Sequence, residues 1–210
     1  MSDFDLYDWL DRFKREGLTP TLRLDLRRIL SPRVVLCEPF RWNEDSDEFD
    51  GPEQIKDLVE WEIVLSADHV HSTLHDLHGN PNWNEALPDL LLDFSMLLRD
   101  TLDLMRELRG TEEKSDLSYL HQPSIGDHPQ NNHFQDWTAL IELARDAWLA
   151  SAERNPAKAR LSAESWWQTP YPLFKRLAFF AAAQGIVIPR RQALDWLLAD
   201  GRWWLWSVET

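Results

Sequence analysis

The run Tyr171 to Gln184, YPLFKRLAFFAAAQ, constrains the chain most: only Lys175, Arg176 and Gln184 break a series of Leu173, Phe174, Leu177, Ala178, Phe179, Phe180 and three alanines. A helix of that composition is tolerated only when neighbours cover most of its sides, so it predicts a central helix. Upstream, Phe134, Trp137, Ile141, Ala144 and Trp148 recur at i, i+3, i+7, i+10 and i+14, which holds one helical face against a partner. From Phe134 to Gly185 the chain reads as amphipathic helices ending in one buried all round. The expected fold is all-α, a HEAT-like α-hairpin solenoid or an irregular helical bundle of antiparallel helix pairs.

The rest of the chain extends that pattern as one helical domain, 1–210. Within 1–52, Ser2, Asp3 and Asp5 open a first helix with Leu6, Trp9, Leu10 and Phe13 up to Gly17. Thr19 and Pro20 open a second, with Leu22, Leu26, Ile29 and Leu30, stopped by Ser31 and Pro32. Its Arg23, Arg27 and Arg28 read as a solvated face or as local ion pairs. Val34 to Cys37 reads as a short extended run without an obvious partner, and Asn43 to Asp50 as a solvated acidic loop that lacks the spacing of a calcium loop. Ile55, Val59, Ile63, Ala67, Val70, Leu74 and Leu77 alternate steps of four and three, predicting one long helix to His78. A second follows through Leu87, Leu91, Phe94, Leu98, Met105 and Leu108, with Pro88 in its first turn. These make a long helical hairpin over 53–110. Residues 111–133 read as a long loop, pinned by Tyr119, Leu120 and Ile125, and 134–210 as C-terminal helical repeats.

Composition excludes several functions. The net charge of −14 disfavours docking on phosphate backbones or anionic lipid, which need a local excess of Lys and Arg. A single cysteine, Cys37, forms no internal disulfide, and no apolar run reaches the ~20 residues of a membrane span, so a cytoplasmic location and no membrane partner are expected. No glycine-rich phosphate loop occurs, and no cofactor is expected.

The histidines suggest two candidate sites. His71 and His75 stand one turn apart, the spacing of a shared metal, with His78 or Asp68 as the expected third ligand; the glutamate of H-E-x-x-H is missing, so zinc-protease chemistry has no general base there. Against this, the three histidines flank the stripe of Val70, Leu74 and Leu77, where half-buried, hydrogen-bonded side chains are common. In the long loop His121, Ser124, Asp127, His128 and His133 contain the residue types of a hydrolytic triad, without a G-x-S-x-G elbow or a preceding strand. The carboxylates Asp89, Asp93, Asp100, Asp103 and Glu107 read as a solvated acidic face. Twelve tryptophans are many for this length, and Trp203, Trp204 and Trp206 crowd the end, where they either fold back on the core or meet a partner.

Four segments carry a family resemblance: DLVEWEIVLSADHVHSTL (57–74), LPDLLLDFSMLLRDTLDLMREL (87–108), DLSYLHQPSIGDHPQNNHFQDWTALIELARDAWLA (116–150) and PYPLFKRLAFFAAAQ (170–184). They resemble a helical-repeat region of large bacterial multidomain proteins, in which such repeats accompany sirtuin-like or P-loop nucleotide-hydrolase domains associated with defence against phage. The resemblance implies a sensor or scaffold role, with any enzymatic domain elsewhere and no catalytic residue to carry over. The first expectation is thus a protein-interaction module, more a binder than an enzyme, using Trp203, Trp204, Trp206, His121, His128 and His133 toward a protein partner, a neighbouring repeat or a second copy. The alternative is a metal-binding protein or metal-dependent hydrolase built on His71, His75 and His78. A third is an acidic mimic of nucleic acid.

Overall fold

Prolines behind polar caps set where three of the described helices begin. The computed structural model describes residues 6–37, 60–77, 79–108, 111–112, 115–116, 118–131 and 135–205, with backbone only at 111–112 and 202–203. Helix α1 (Leu6–Glu16) buries Leu6, Trp9, Leu10 and Phe13 and ends at Gly17, whose φ of 68° is the left-handed stop that a Cβ disfavours. Thr19 then caps α2 (Pro20–Ile29): its side chain accepts from the Leu22 N–H at 3.2 Å, and Pro20 occupies a position where no N–H is missed. Asn80 and Asn155 do the same for α4 (Pro81–Glu107) and α7 (Pro156–Gln168).

The long hairpin expected over 53–110 is not there. Residues 53–59 and His78 lie outside the described residues, and 60–75 form a strand and a short helix: β2 (Glu60–Leu65) and α3 (Val70–His75). β2 pairs antiparallel with β1 (Pro32–Cys37), in register from Pro32 opposite Leu65 to Cys37 opposite Glu60, so the extended run at Val34 has a partner after all. The physical reason is a double periodicity. Ile63, Ala67, Val70 and Leu74 are all buried, as a helix would bury them, but Glu60, Trp61, Glu62, Ile63, Val64 and Leu65 also alternate in the two-residue period of a strand, with β-branched residues favouring it. The Ser66 and Ala67 N–H groups then bond back to the carbonyls of Ser31 and Ile29, tying the strand's end to the end of α2.

The central element is α4. At 27 residues it runs about 40 Å, and its Pro88, expected in the first turn, sits inside it. Its carbonyl is taken by the Lys158 ammonium of α7. Along one side α4 packs against α6 (Ala139–Arg154), which a 3-10 turn at Asp136–Thr138 leads into. Near its start Trp83 meets Phe13 edge-on at 5.7 Å, and Phe13 stacks on Trp9 at 5.0 Å, anchoring α1. The carboxylates of α4 are not all solvated. Asp93 is 4% exposed and receives Arg23 at 2.6 Å and Arg27 at 3.6 Å, which gives that part of the α2 basic cluster its role.

From α6 the chain runs through α7, α8 (Pro172–Ala183) and α9 (Arg190–Leu197), each packed on the one before. The buried face of α8 is Leu173, Phe174, Leu177, Ala178 and Ala181; Phe179 and Phe180 are only partly buried, so α8 is a well-covered outer helix rather than the centre. Tyr171 precedes it and donates its hydroxyl to Asp103 of α4, beneath the Arg106 guanidinium, 5.5 Å from the ring. Burial first, then the Asp103 carboxylate, push the phenol up to about 12. The raised value makes folding favour the protonated ring: the contribution is complete below the ordinary value near 10 and is lost as pH climbs through about 12. In a tyrosinate absorbance titration, one of the three tyrosines should therefore ionise late, and Tyr171→Phe should remove that late component.

Between 111 and 131 the described residues hold regular structure that a loop reading did not expect. β3 (Thr111–Glu112) and β4 (Ser115–Asp116) pair antiparallel, and α5 (Ser118–His121) follows. Ile125 is buried as expected, but Leu120 is exposed and the anchoring is polar. Asp116, 1% exposed, accepts from the Ser118 N–H at 3.0 Å, the Ser118 hydroxyl, and the Leu173 N–H at 2.7 Å at the start of α8. Buried Arg176 reaches Ser118 Oγ at 3.2 Å and the Gln122 carbonyl at 2.6 Å.

Candidate functional site

His71 and His75 of one histidine group and His128 of the other line one cavity. A space of about 630 Å³ opens between α3, the 122–131 segment and α6, with Trp83 of α4 also on its wall. α3 contributes His71 and His75, and the segment contributes Asp127, His128 and Asn131. α6 contributes Glu142, Arg145 and Asp146, while Leu74, Ala139 and Leu143 form the apolar part.

Local structure explains why these groups hold still. His69, with a φ of 58°, turns the chain into α3, and its carbonyl receives the Ser72 and Thr73 hydroxyls. His71 then points at α6: its Nε2 lies 2.9 Å from Thr138 Oγ1 and its Nδ1 3.6 Å from Glu142 Oε2. Asn131 clamps the 122–131 segment, accepting from the Ser124 N–H at 3.1 Å and donating to the Gly126 carbonyl at 3.0 Å. Arg145, 6% exposed, fixes the segment to α6. Its Nη1 donates to the Ile125 carbonyl at 3.1 Å and to Asp127 at 2.7 Å, and its Nε donates to Asp146 at 2.7 Å. Burial works against the guanidinium's charge, but Asp146, Asp127 and Glu142 outweigh it and hold its pKa above the usual value.

Thr138, His71 and Glu142 reproduce the order of a hydroxyl, an imidazole and a carboxylate in a nucleophilic triad. Accessibility decides against that use. Thr138 is fully buried, its hydroxyl donates to the Gln135 carbonyl at 2.7 Å, and it does not line the cavity. The trio is a strut between α3 and α6. Ser124 is no better placed, since among the described residues no hydrogen bond joins its hydroxyl to a histidine.

The other expected residues lie elsewhere. His121 packs edge-on against Trp137 at 6.3 Å, away from the cavity walls, and burial pushes its imidazole toward the neutral form. Of the two alternatives for the aromatic end, Trp204 takes the inward one: 6% exposed, it donates to Asp200 at 2.7 Å and packs on Trp167 and Phe179, each at 6.2 Å. Trp167 also stacks on Trp196 at 5.3 Å and carries the Lys175 ammonium over its ring at 4.4 Å. Burial lowers the Lys175 pKa, against the pull of Asp200. His78, His133, Trp206 and the Trp203 side chain lie outside the described residues. Among the described residues no group of three His, Cys, Asp or Glu side chains is arranged to hold a metal ion. Sequence reasoning missed Glu142, Arg145 and Asp146; the available signal was an arginine on the otherwise apolar face of α6, flanked by acids three residues before it and one after.

Comparison with known proteins aligns the chain with part of a longer protein. It is 24% identical over 192 residues to the uncharacterized protein y4cA of Sinorhizobium fredii (strain NBRC 101917 / NGR234), a match covering 90% of this chain. The chain spans only 16% of that relative's length. No family model matches it, and no solved structure does.

Proposed function

We propose that the chain is a helical recognition and scaffold module that works with a larger bacterial protein, of the kind whose repeats accompany sirtuin-like or P-loop nucleotide-hydrolase domains in defence against phage. The observation that carries this is one of proportion: nearly the whole chain aligns with a small part of a much longer relative, as a unit reused within larger proteins would. The succession of α6, α7, α8 and α9, each packed on the last, supports a solenoid-like arrangement of the C-terminal part. Leu161 of α7 and Leu194 and Leu198 at α9 remain more than half exposed, apolar surface of the kind that a second copy or a following repeat covers.

Size exclusion with light scattering, and elemental analysis of the same peak, tests the reading. The expected result is a metal-free assembly above monomer mass that falls to monomer when Leu194 and Leu198 become serine. A monomer at high concentration, indifferent to those substitutions, removes the assembly role. A stoichiometric metal lost with His71→Ala and His75→Ala moves the function to the histidines.

A further inference from the structure

We propose that the cavity between α3, the 122–131 segment and α6 binds an organic cation, a guanidinium or alkylammonium group carried on an apolar stem. The charge on its walls is unbalanced. Asp127, Glu142 and Asp146 face a single guanidinium, Arg145, whose Nε and Nη1 are already engaged by two of them. Three carboxylates against one guanidinium leave the wall net negative, and a carboxylate or phosphate would meet it as repulsion. Each of the two aspartates bonds Arg145 through one oxygen, Oδ1, leaving Oδ2 to accept from a ligand N–H.

A bare metal ion suits the cavity less well than an organic one, because the described acids and histidines are not gathered into a three-ligand set. About 630 Å³ is room for a small molecule or one long side chain, and Leu74, Ala139, Leu143 and Trp83 offer the stem an apolar wall. The walls are also set in advance. Asn131 and Arg145 fix the loop side, and the contacts of His71 with Thr138 and Glu142 fix α3 to α6, so little ordering remains to oppose binding. The site depends on this chain's own walls: failure of the assembly test above leaves it standing, and failure of a titration here leaves the scaffold reading standing.

Isothermal titration with Nα-acetyl-arginine amide, against its uncharged isostere Nα-acetyl-citrulline amide, decides the matter. Saturable one-site binding of the arginine compound is expected at millimolar or lower concentration, with the citrulline compound about tenfold weaker or more. Asp127→Asn should weaken the arginine compound about tenfold: it removes one acid and leaves the Arg145 charge less compensated on the cavity wall. The Asp127 side chain is 92% exposed and Arg145 keeps Asp146 and the Ile125 carbonyl, so the variant should remain folded, as circular dichroism would show. Glu142→Gln, checked for folding by circular dichroism, should act in the same direction. Tighter binding of spermidine than of an arginine-containing peptide would identify a free polyamine as the source of the cation, and the reverse a basic side chain of a protein partner. Equal binding of the citrulline compound, no saturable heat with either compound, or indifference to both substitutions would overturn the assignment.

Discussion

Asp116→Ala should cost about 3 kcal/mol of folding stability, one of the two largest effects expected in this chain. One carboxylate, 1% exposed, accepts from two backbone N–H groups and a hydroxyl, and its loss strands the Leu173 and Ser118 N–H groups where water does not reach them. The damage extends to Arg176, whose Ser118 partner is positioned by the same carboxylate. Asp116→Asn keeps one acceptor oxygen and should cost roughly half as much. Urea unfolding followed by circular dichroism measures both. A loss under about 1 kcal/mol for alanine would mean that the hairpin of β3 and β4 and the start of α8 hold together without their shared carboxylate.

Trp148→Ala should be at least as damaging, at about 3–5 kcal/mol. The indole is fully buried on α6, its ring lies 6.4 Å from that of Trp166, and its N–H donates to the Ala159 carbonyl at 2.8 Å. Truncation leaves a void between α6 and α7 and takes from the Ala159 carbonyl, inside α7, its second donor. Trp148→Phe separates the two losses: the phenyl ring refills most of the space, so the remaining cost of about 0.5–1.5 kcal/mol reports chiefly the lost indole hydrogen bond. Equal costs for the two variants would assign the effect to the hydrogen bond alone.

Much of the helical part was legible from sequence, and the reasons are local. Thr19 with Pro20, Asn155 with Pro156, and Gly17 and Gly185 punctuate the chain through cap geometry that needs no tertiary partner. Around Ile63 the same logic failed, because burial at 63, 67, 70 and 74 satisfies a helical stripe and an observed strand-turn-helix path equally. The pairing with β1 that decides between them lies some thirty residues away in sequence. The cavity was half legible. His71, His75 and His128 stood out by type, but the sequence shows neither that α3 and the 122–131 segment face each other nor that α6 places Glu142, Arg145 and Asp146 between them. Asp116, in a stretch read as loop, carried no signal of burial at all. For Trp204, the sequence posed the right alternatives and the contacts with Trp167 and Phe179 select one.

The partners of α4 set the order in which this chain can mature. Asp93 is held by Arg23, 70 residues earlier; the Pro88 carbonyl, Ser95 and Asp103 are held by Lys158, Trp166 and Tyr171, which follow 70, 71 and 68 residues later. Loop-closure entropy must be met before any of these contacts returns free energy. A ribosome releasing residues from the N-terminus exposes the apolar stripe of α4 well before α7 and the start of α8 exist to cover it. During that interval Leu90, Leu97 and Leu102 are open to other nascent chains, and chaperone dependence and aggregation on overexpression should be concentrated there.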